Sequence, residues 1–242
     1  MFSVLTQAFA DNWYLFLITA VIAYLIGSIN PAVIVTKIVT KGQKDIREMG
    51  SGNAGFTNVL RSVGKVPAII TIVCDALKCI VVVFIGYFIF VLFAHLPDRG
   101  AWFEQCYFTC VKYFAGVFCI LGHSFPLYFH FKGGKGIVTA AALMLSSDWR
   151  VFLLILATFL VIFIIGKIIS LASIICSMLY APYTFLFTFV FDHTLNQPCL
   201  WYVITTTVCA LLIGIFAVVM HRGNIKRLLN GEEKKIHAKK NS

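Results

Sequence analysis

The chain has 242 residues, of which 60% are hydrophobic and 12% are charged, and its mean hydropathy is +0.90. These values exclude an ordinary soluble domain and indicate an all-α protein that crosses a membrane several times. The net charge of +10 is unevenly distributed and therefore bears on topology. We predict one integral membrane domain over residues 1–242, with room for about seven spans of about 20 residues each.

Seven apolar runs are predicted to be helices that enter the membrane. In chain order they are Trp13–Val39, Val66–Phe93, Trp102–Leu121, Gly136–Ser147, Trp149–Gly166, Ile168–Phe191 and Leu200–Met220. The fourth run has only 12 residues, and a helix of that length rises about 18 Å, less than a typical hydrocarbon core. It is predicted to be either a half-span packed within the protein or a helix that polar residues extend.

Basic residues are concentrated on one side of this arrangement. Sixteen of the 20 Lys and Arg residues fall on the side that carries the C-terminus, whereas Arg99 and Arg150 fall on the other. The positive-inside rule then places the N-terminus outside and the C-terminus in the cytoplasm. Residues 222–242 are predicted to be a basic cytoplasmic tail within the same domain, and three polar stretches lie on the cytoplasmic side.

The first polar stretch, GSGNAGFTNVLR (Gly50–Arg61), follows the first predicted helix. Its glycines allow backbone amides to approach an anion closely, and successive amides can form an anion-binding nest. Arg61 can add a bidentate clamp on a phosphate. The same composition is also typical of a flexible turn. The candidate substrate-binding and catalytic residues here are Gly50, Ser51, Gly52, Asn53, Thr57, Asn58 and Arg61.

Two charged residues, Asp75 and Lys78, lie within the second predicted span. Because they are three residues apart, they share one face of the helix and can partly neutralise each other. Charges at this depth indicate either a functional site or a structural ion pair that faces the bundle. Lys112, in the third span, is expected to extend its ammonium group toward the interface.

The second polar stretch, GHSFPLYFHFKGGKG (Gly122–Gly136), ends directly before the short fourth helix. A glycine-rich run at a helix N-terminus favours anions, because unpaired amides and the helix dipole both attract negative charge. It is not a nucleotide-binding P-loop, which needs Ser or Thr where this chain has Gly136. A basic interfacial turn is the simpler alternative. The candidate substrate-binding residues are Lys132, Gly133, Gly134, Lys135 and Gly136.

The third polar stretch, HRGNIKRLLNGEE (His221–Glu233), directly follows the last span. An imidazole titrates near neutral pH, so His221 is a candidate base or phosphate donor, although a lone His at an interface is commonly only an interfacial residue. Asn224 lies one helical turn further on. Glu233 can pair with a nearby basic residue and hold the segment in shape.

Together these stretches resemble the motifs of the bacterial acyl-phosphate:glycerol-3-phosphate acyltransferase family (PlsY). The resemblance includes GSINP at Gly27–Pro31 and DALK at Asp75–Lys78, and it covers essentially the whole chain. It implies transfer of a fatty acyl group from acyl phosphate to the 1-hydroxyl of sn-glycerol 3-phosphate, giving lysophosphatidic acid and phosphate. The sequence departs from the family pattern at Phe56, where a small residue is common, and at Gly223, where a larger polar one is common.

The same resemblance implies roles for individual residues. The essential catalytic residues would be Ser51 and Arg61, with His221 and Asn224 in support. The glycerol-phosphate-binding loop would consist of Gly133, Gly134, Lys135 and Gly136. Structural roles would fall to Glu233, Asp75 and Lys78.

The resemblance also implies a multi-pass protein of the bacterial inner membrane whose active site faces the cytoplasm. It implies a functional link to an enzyme that forms acyl phosphate, and no metal, cofactor or nucleic acid is expected. The substrates would be acyl phosphate and glycerol 3-phosphate, with membrane lipid around the spans.

The chemistry that this family catalyses suits the residues present. Acyl phosphate is an activated mixed anhydride, so the protein needs mainly to align two anionic substrates and stabilise developing charge. We expect direct attack by the glycerol hydroxyl, with a substrate phosphate oxygen or His221 accepting the proton; a covalent acyl intermediate on Ser51 is the alternative. The main alternative function is an organic-phosphate transporter, which would place its phosphate sites near the middle of the bilayer. An acyltransferase that uses acyl-CoA is a second alternative.

Overall fold

The computed structural model describes residues 2–97, 100–195 and 199–235, and within these ranges the regular structure is entirely helical. Among the described residues, six helical segments are long and apolar enough to cross a membrane. The short fourth helix of the prediction is present as an 11-residue apolar helix. The prediction of an all-α protein with several membrane helices is therefore confirmed, whereas the predicted number of seven stays a prediction.

The α-helices found in the described ranges, in chain order, are α1 (Phe2–Gly27), α2 (Pro31–Val39), α3 (Phe56–Ser62), α4 (Lys65–Phe93), α5 (Ala101–Ser124), α6 (Ile137–Ser147), α7 (Trp149–Gly166), α8 (Ile169–Phe185), α9 (Leu200–Met220) and α10 (Arg222–Leu229). Short 3-10 turns occupy Ile46–Glu48 and Leu127–Phe129, and a π-helical segment, Leu186–Thr194, continues α8. The basic tail was predicted over 222–242, and its part beyond residue 235 lies outside the described residues.

The first predicted span is broken into two helices. We predicted one continuous helix over Trp13–Val39, but α1 ends at Gly27 and α2 begins at Pro31. The side chain of Asn30 accepts a hydrogen bond from the amide of Val33 (3.2 Å), and Pro31 occupies the first helical position. Asn as N-cap followed by Pro at the first position is a strong helix-start signal, which is why a new helix begins here.

The residues form two compact units, 1–147 and 148–242. In the first unit, α1 packs against α5 through close backbone contact at two glycines. A side chain at Gly122 would overlap the Tyr24 carbonyl, and one at Gly27 would overlap the backbone of Cys119. Glycines permit helices to approach this closely in a membrane, where dispersion forces between backbones replace the hydrophobic effect.

In the second unit, α8 packs between α7 and α9. Arg150, at the start of α7, forms bidentate salt bridges with Asp148 and Asp192 at 2.8–2.9 Å. Both carboxylates are nearly buried, and their shared guanidinium compensates the cost of that burial. This contact ties the start of α7 to the π-helical end of the α8 segment.

Candidate functional site

The first polar stretch is organised around one buried side chain, Asn58. Its amide group donates to the carbonyls of Ile46 (3.0 Å) and Met49 (2.9 Å), and its oxygen accepts from the amide of Ser51 (3.1 Å). Gly50 has a φ of +56°, and a side chain there would overlap the Asn58 oxygen. In the structure the polar atoms of Asn58 hold the fold of the loop, and its predicted role in substrate binding stays a prediction.

Most of the other candidates in this stretch lie nearer the surface. Ser51 and Arg61 are exposed, whereas Asn53 and Thr57 are half-buried. Arg61 lies in the last turn of α3, one turn after Thr57. The loop therefore presents a hydroxyl, a guanidinium and further polar groups on a rigid scaffold, as a site for an anionic substrate requires.

Arg47, three residues before the first polar stretch, contacts the second polar stretch. Its guanidinium forms a bidentate salt bridge with Asp45 (2.7–3.0 Å), donates to the carbonyl of Phe129 (2.7 Å) and lies over the Phe129 ring. The hydrogen bonds from Arg47 lower the pKa of Asp45, and the same contact with Asp45 raises the pKa of Arg47. The pair therefore remains charged across the physiological range and holds the segment before the first stretch against the second.

The glycines of the second polar stretch pack directly on the end of α5. The amide of Gly133 donates to the carbonyl of Ser124, and that of Gly134 donates to the carbonyl of His123, both at 3.2 Å. A side chain at Gly134 would overlap the imidazole of His123 and lie 2.8 Å from the carbonyl oxygen of Ala54. Gly134 thus contacts α5 on one side and the first polar stretch on the other.

The backbone amides of Gly133 and Gly134 are engaged with α5. The substrate-binding role predicted for these two glycines stays a prediction. Gly136, with a φ of +77°, then turns the chain into α6. The amides available to an anion are those of the first turn of α6, which have no intrahelical acceptor in any α-helix.

A buried charge cluster lies next to the second polar stretch and contacts it through His123. The carboxylate of Asp75 lies 2.8 Å from Lys78 Nζ and 3.1 Å from His123 Nδ1. Lys78 Nζ also donates to the carbonyl of Ile29 (2.8 Å), at the break between α1 and α2. Asp75 and Lys78 therefore form the salt bridge that their spacing predicted. The ring they hold, His123, is the one that Gly134 covers.

The third polar stretch belongs to the second unit, where side chains converge on Glu233. Its Oε1 accepts from Ser170 Oγ and Asn224 Nδ2, both at 2.8 Å, and its Oε2 accepts from Arg227 Nε at 2.7 Å. Burial alone raises the pKa of Glu233, but the hydrogen bonds from Arg227, Ser170 and Asn224 outweigh it and lower the pKa below the ordinary value. The residue is therefore ionised at neutral pH and holds the chain end against α8 and α10.

His221 is buried between α9 and α10. Its Nδ1 lies 2.7 Å from the carbonyl of Ala217, and a carbonyl can only accept. In the neutral ring the proton is therefore on Nδ1, and Nε2 is the acceptor atom. This tautomer is the one that a proton-accepting role would need.

The structure thus brings together the first two polar stretches, Asp75 and Lys78 within the first unit, and His221, Asn224 and Glu233 within the second. Sequence reasoning assigned no role to His123, Arg47 or Ser170, which complete these contacts. For His123 a signal existed, because a charged pair within a membrane span requires further polar partners. Nothing in the sequence indicates that a histidine 45 positions from Lys78 supplies one.

Comparisons with known proteins agree on one family. The glycerol-3-phosphate acyltransferase family model matches residues 17–231. A glycerol-3-phosphate acyltransferase of Idiomarina loihiensis is 35% identical over 215 residues, which are 88% of this chain and 91% of the relative. Another, from Francisella tularensis subsp. mediasiatica, is 37% identical over 216 residues, 89% of this chain and 90% of the relative.

Solved structures with a similar fold are also known. The crystal structure of PlsY (YgiH), an integral membrane glycerol 3-phosphate acyltransferase, in its glycerol 3-phosphate form superposes with a TM-score of 0.70 at 32% identity. The match covers 92% of this chain and 96% of that one. The lysophosphatidic acid form of that protein gives a TM-score of 0.69 at the same identity, covering 92% and 95% of the two chains.

Proposed function

Because the chain belongs to the glycerol-3-phosphate acyltransferase family, we propose that it acylates the 1-hydroxyl of sn-glycerol 3-phosphate with acyl phosphate as donor. The products are lysophosphatidic acid and inorganic phosphate. The family description covers 17–231, so the proposal concerns nearly the whole chain. Family membership favours this function over the organic-phosphate transporter that composition alone left open.

One structural observation carries the substrate assignment: the two glycine-rich loops of the first unit are joined at one end of its helices. Arg47 bonds to Phe129, and Gly134 packs against Ala54. Their polar groups are therefore close enough to act on a single small anion. Beside this junction, Ser124 Oγ is buried and has no hydrogen-bond partner within the described residues.

We place the phosphate of glycerol 3-phosphate at the first turn of α6, next to Lys135. The helix dipole and the unpaired amides favour an anion there, and Arg61 contributes a bidentate cation. Lys132 adds charge at the exposed edge of the loop. The donor's acyl chain lies among the apolar side chains exposed to lipid, which brings its phosphate to the same membrane surface.

The reaction itself exchanges one oxygen for another at the acyl carbon. The 1-oxygen of glycerol 3-phosphate forms a bond to the acyl carbonyl carbon, and the bond from that carbon to the donor phosphate oxygen breaks. The hydroxyl proton passes to a phosphate oxygen, and phosphate leaves. Because the donor is already activated, positioning and charge stabilisation by Ser51 and Arg61 supply most of the rate.

We further propose that the enzyme resides in a bacterial inner membrane with these loops facing the cytoplasm. The excess of basic residues on the loop side supports this orientation. Acyl phosphate is a reactive anhydride, so a donor-forming enzyme on the same side must supply it. His221 and Asn224 are proposed to support activity, and Glu233 to hold their segment.

A donor-choice assay tests the proposal. Purified protein in detergent receives glycerol 3-phosphate with acyl phosphate, acyl-CoA or acyl carrier protein, and lysophosphatidic acid and phosphate are measured. We expect turnover with acyl phosphate alone. Turnover only with acyl-CoA would replace the donor assignment while retaining the family's acceptor.

Two variants test the residue roles. We expect Ser51→Ala and Arg61→Ala to lower kcat by about a hundredfold, since each removes a group that stabilises charge in the transition state. Lys65→Ala is the matched control, because Lys65 is an exposed cation that begins α4. A trapped acyl group on Ser51 in a rapid-quench experiment would instead indicate a covalent intermediate.

A further inference from the structure

The short helix α6 leaves an unfilled space beside α5. Gly136 lies against Ile120, and Leu143 packs on Gly116. Helix α6 therefore begins beside the last turns of α5 and runs antiparallel to it. Its final residue, Ser147, therefore reaches only the level of Lys112, about 17 Å from the start of α5. Beyond that level a cavity of about 360 Å³ extends toward the first residues of α5.

The lining of this cavity is polar although it lies within membrane helices. Glu104, Gln105, Thr109 and Lys112 from α5 contribute to it, together with Ser147. The cavity lies beside the start of α5. The glycine-rich loops lie at the other end of the first unit, where α5 ends and α4 begins. Its volume falls within the range of about 300–1,000 Å³ for sites that bind small ligands.

Among the described residues, Lys112 has no carboxylate partner. Its Nζ lies 5.1 Å from the centre of the Tyr87 ring and 5.7 Å from that of Phe84. Throughout residues 2–97, 100–195 and 199–235, no carboxylate forms a salt bridge with it. Ring faces attract an ammonium, but they do not neutralise its charge within a membrane span. Ser147 Oγ, in the same cavity, is also buried without a hydrogen-bond partner among the described residues.

A complementary negative charge lies at the opposite end of the cavity. Glu104 is exposed near the start of α5, about 12 Å along the helix from Lys112. Helical side chains point toward the helix N-terminus, so the ammonium of Lys112 extends toward Glu104. The cavity thus presents a cation in its depth and an anion at its mouth.

We propose that this cavity binds the headgroup of a zwitterionic aminophospholipid such as phosphatidylethanolamine. The lipid phosphate pairs with Lys112 and accepts from Ser147, and its primary ammonium pairs with Glu104. A phospholipid in a bilayer has its phosphate deeper than its ammonium, which matches the order of the two charges. Leu92 and Phe93, exposed at the end of α4, offer lipid-facing surface for the acyl chains. This site is separate from the acyl-transfer site.

Native mass spectrometry of the purified protein tests the proposal. The protein in detergent is titrated with phosphatidylethanolamine, phosphatidylglycerol and phosphatidylcholine of identical acyl chains, and with inorganic phosphate. We expect phosphatidylethanolamine to bind most tightly. Lys112→Gln should weaken it about tenfold or more, the usual effect of losing a hydrogen bond to a charged group.

Glu104→Gln and Lys65→Gln separate this site from general attraction to lipid. Glu104→Gln should reduce the preference for phosphatidylethanolamine over phosphatidylglycerol, and because Glu104 is exposed this variant leaves the fold intact. Lys65→Gln removes an exposed cation at the other end of the unit, and it should not change the binding of either lipid. Equal losses in Lys112→Gln and Lys65→Gln, or equal binding of all three lipids, would overturn the proposal. Displacement of the lipid by inorganic phosphate at equal concentration would show a free-anion site instead.

Discussion

The first unit holds its polar loops mainly through backbone contacts at glycines, whereas the second unit holds its polar segment through side chains. In the first unit, Gly133 and Gly134 pack on α5 above the buried cluster of Asp75, Lys78 and His123. In the second unit, three donors converge on the carboxylate of Glu233. The first arrangement should therefore be disrupted by added atoms at the glycines or by an unbalanced buried charge. The second arrangement should be disrupted by removal of the acceptor, Glu233.

The largest effect is expected from unbalancing the buried cluster. Asp75→Asn leaves the Lys78 ammonium buried without its counter-charge, so we expect a loss of about 3–5 kcal/mol in the free energy of unfolding. The double variant Asp75→Asn/Lys78→Met removes both charges and should recover most of that loss. Thermal unfolding in detergent measures both.

The same pair of variants also tests whether His123 positions the glycine loop. In the double variant His123 has lost its carboxylate partner although the charge is balanced. We therefore expect the KM for glycerol 3-phosphate to remain raised while kcat recovers with stability. If KM returned to the wild-type value, the cluster would be structural only.

Removing the acceptor in the second unit should have the next largest effect. Glu233→Ala leaves Ser170, Asn224 and Arg227 without their shared acceptor, and we expect a loss of about 1.5–3 kcal/mol. Glu232→Ala is the matched control, because Glu232 is exposed and has no ion pair among the described residues. Unfolding midpoints that were equal in the two variants would show that the convergence on Glu233 contributes no stability.

A Gly→Ala substitution in each polar segment compares how closely the two segments are packed. Gly134→Ala overlaps His123 and Ala54, so we expect the KM for glycerol 3-phosphate to rise about tenfold to a hundredfold through displacement of the loop. Gly223→Ala, in the polar segment of the second unit, meets only the end of the Arg227 side chain at 3.7 Å. Its KM should be unchanged, and a similar rise in both variants would refute the difference between the loops.

The smallest effect is a dependence of stability on pH. The pKa of Glu233 is lowered in the folded protein from an ordinary value of 4.5. Its contribution is therefore complete above about pH 4.5 and is lost as the pH falls through the lower folded-state value. The difference in unfolding midpoint between wild type and Glu233→Gln should shrink as the pH is lowered from 6 toward 3.5. A constant difference would mean that the carboxylate charge has no part in the network.

Most of the fold followed from sequence because long apolar runs permit few structures in a membrane. The short fourth helix was visible from its length alone, and α6 confirms it. The break before α2 was missed, since Ile29 is apolar and the surrounding runs merge, although Asn30 and Pro31 carried the signal. Local capping chemistry, rather than hydropathy, decides where such a helix begins.

Candidate residues for the site could be named from the sequence, but their contacts could not. Composition indicated that the glycines serve an anion site, yet whether an amide faces a ligand or a helix end depends on packing. The amides of Gly133 and Gly134 face α5. Likewise, His123 lies beside Asp75 only because α4 and α5 are antiparallel neighbours. Such long-range pairings are set by tertiary structure, which no local pattern encodes.

The interruption between α1 and α2 also constrains how this protein can diverge. It exposes the carbonyl of Ile29, which would otherwise accept an intrahelical bond, and that oxygen receives the Lys78 ammonium. A lineage that restored a continuous helix by replacing Asn30 or Pro31 would deprive the lysine of this acceptor. Substitutions at these positions should therefore appear together with substitutions at Lys78, although Ile29 and Lys78 are 49 positions apart in the chain.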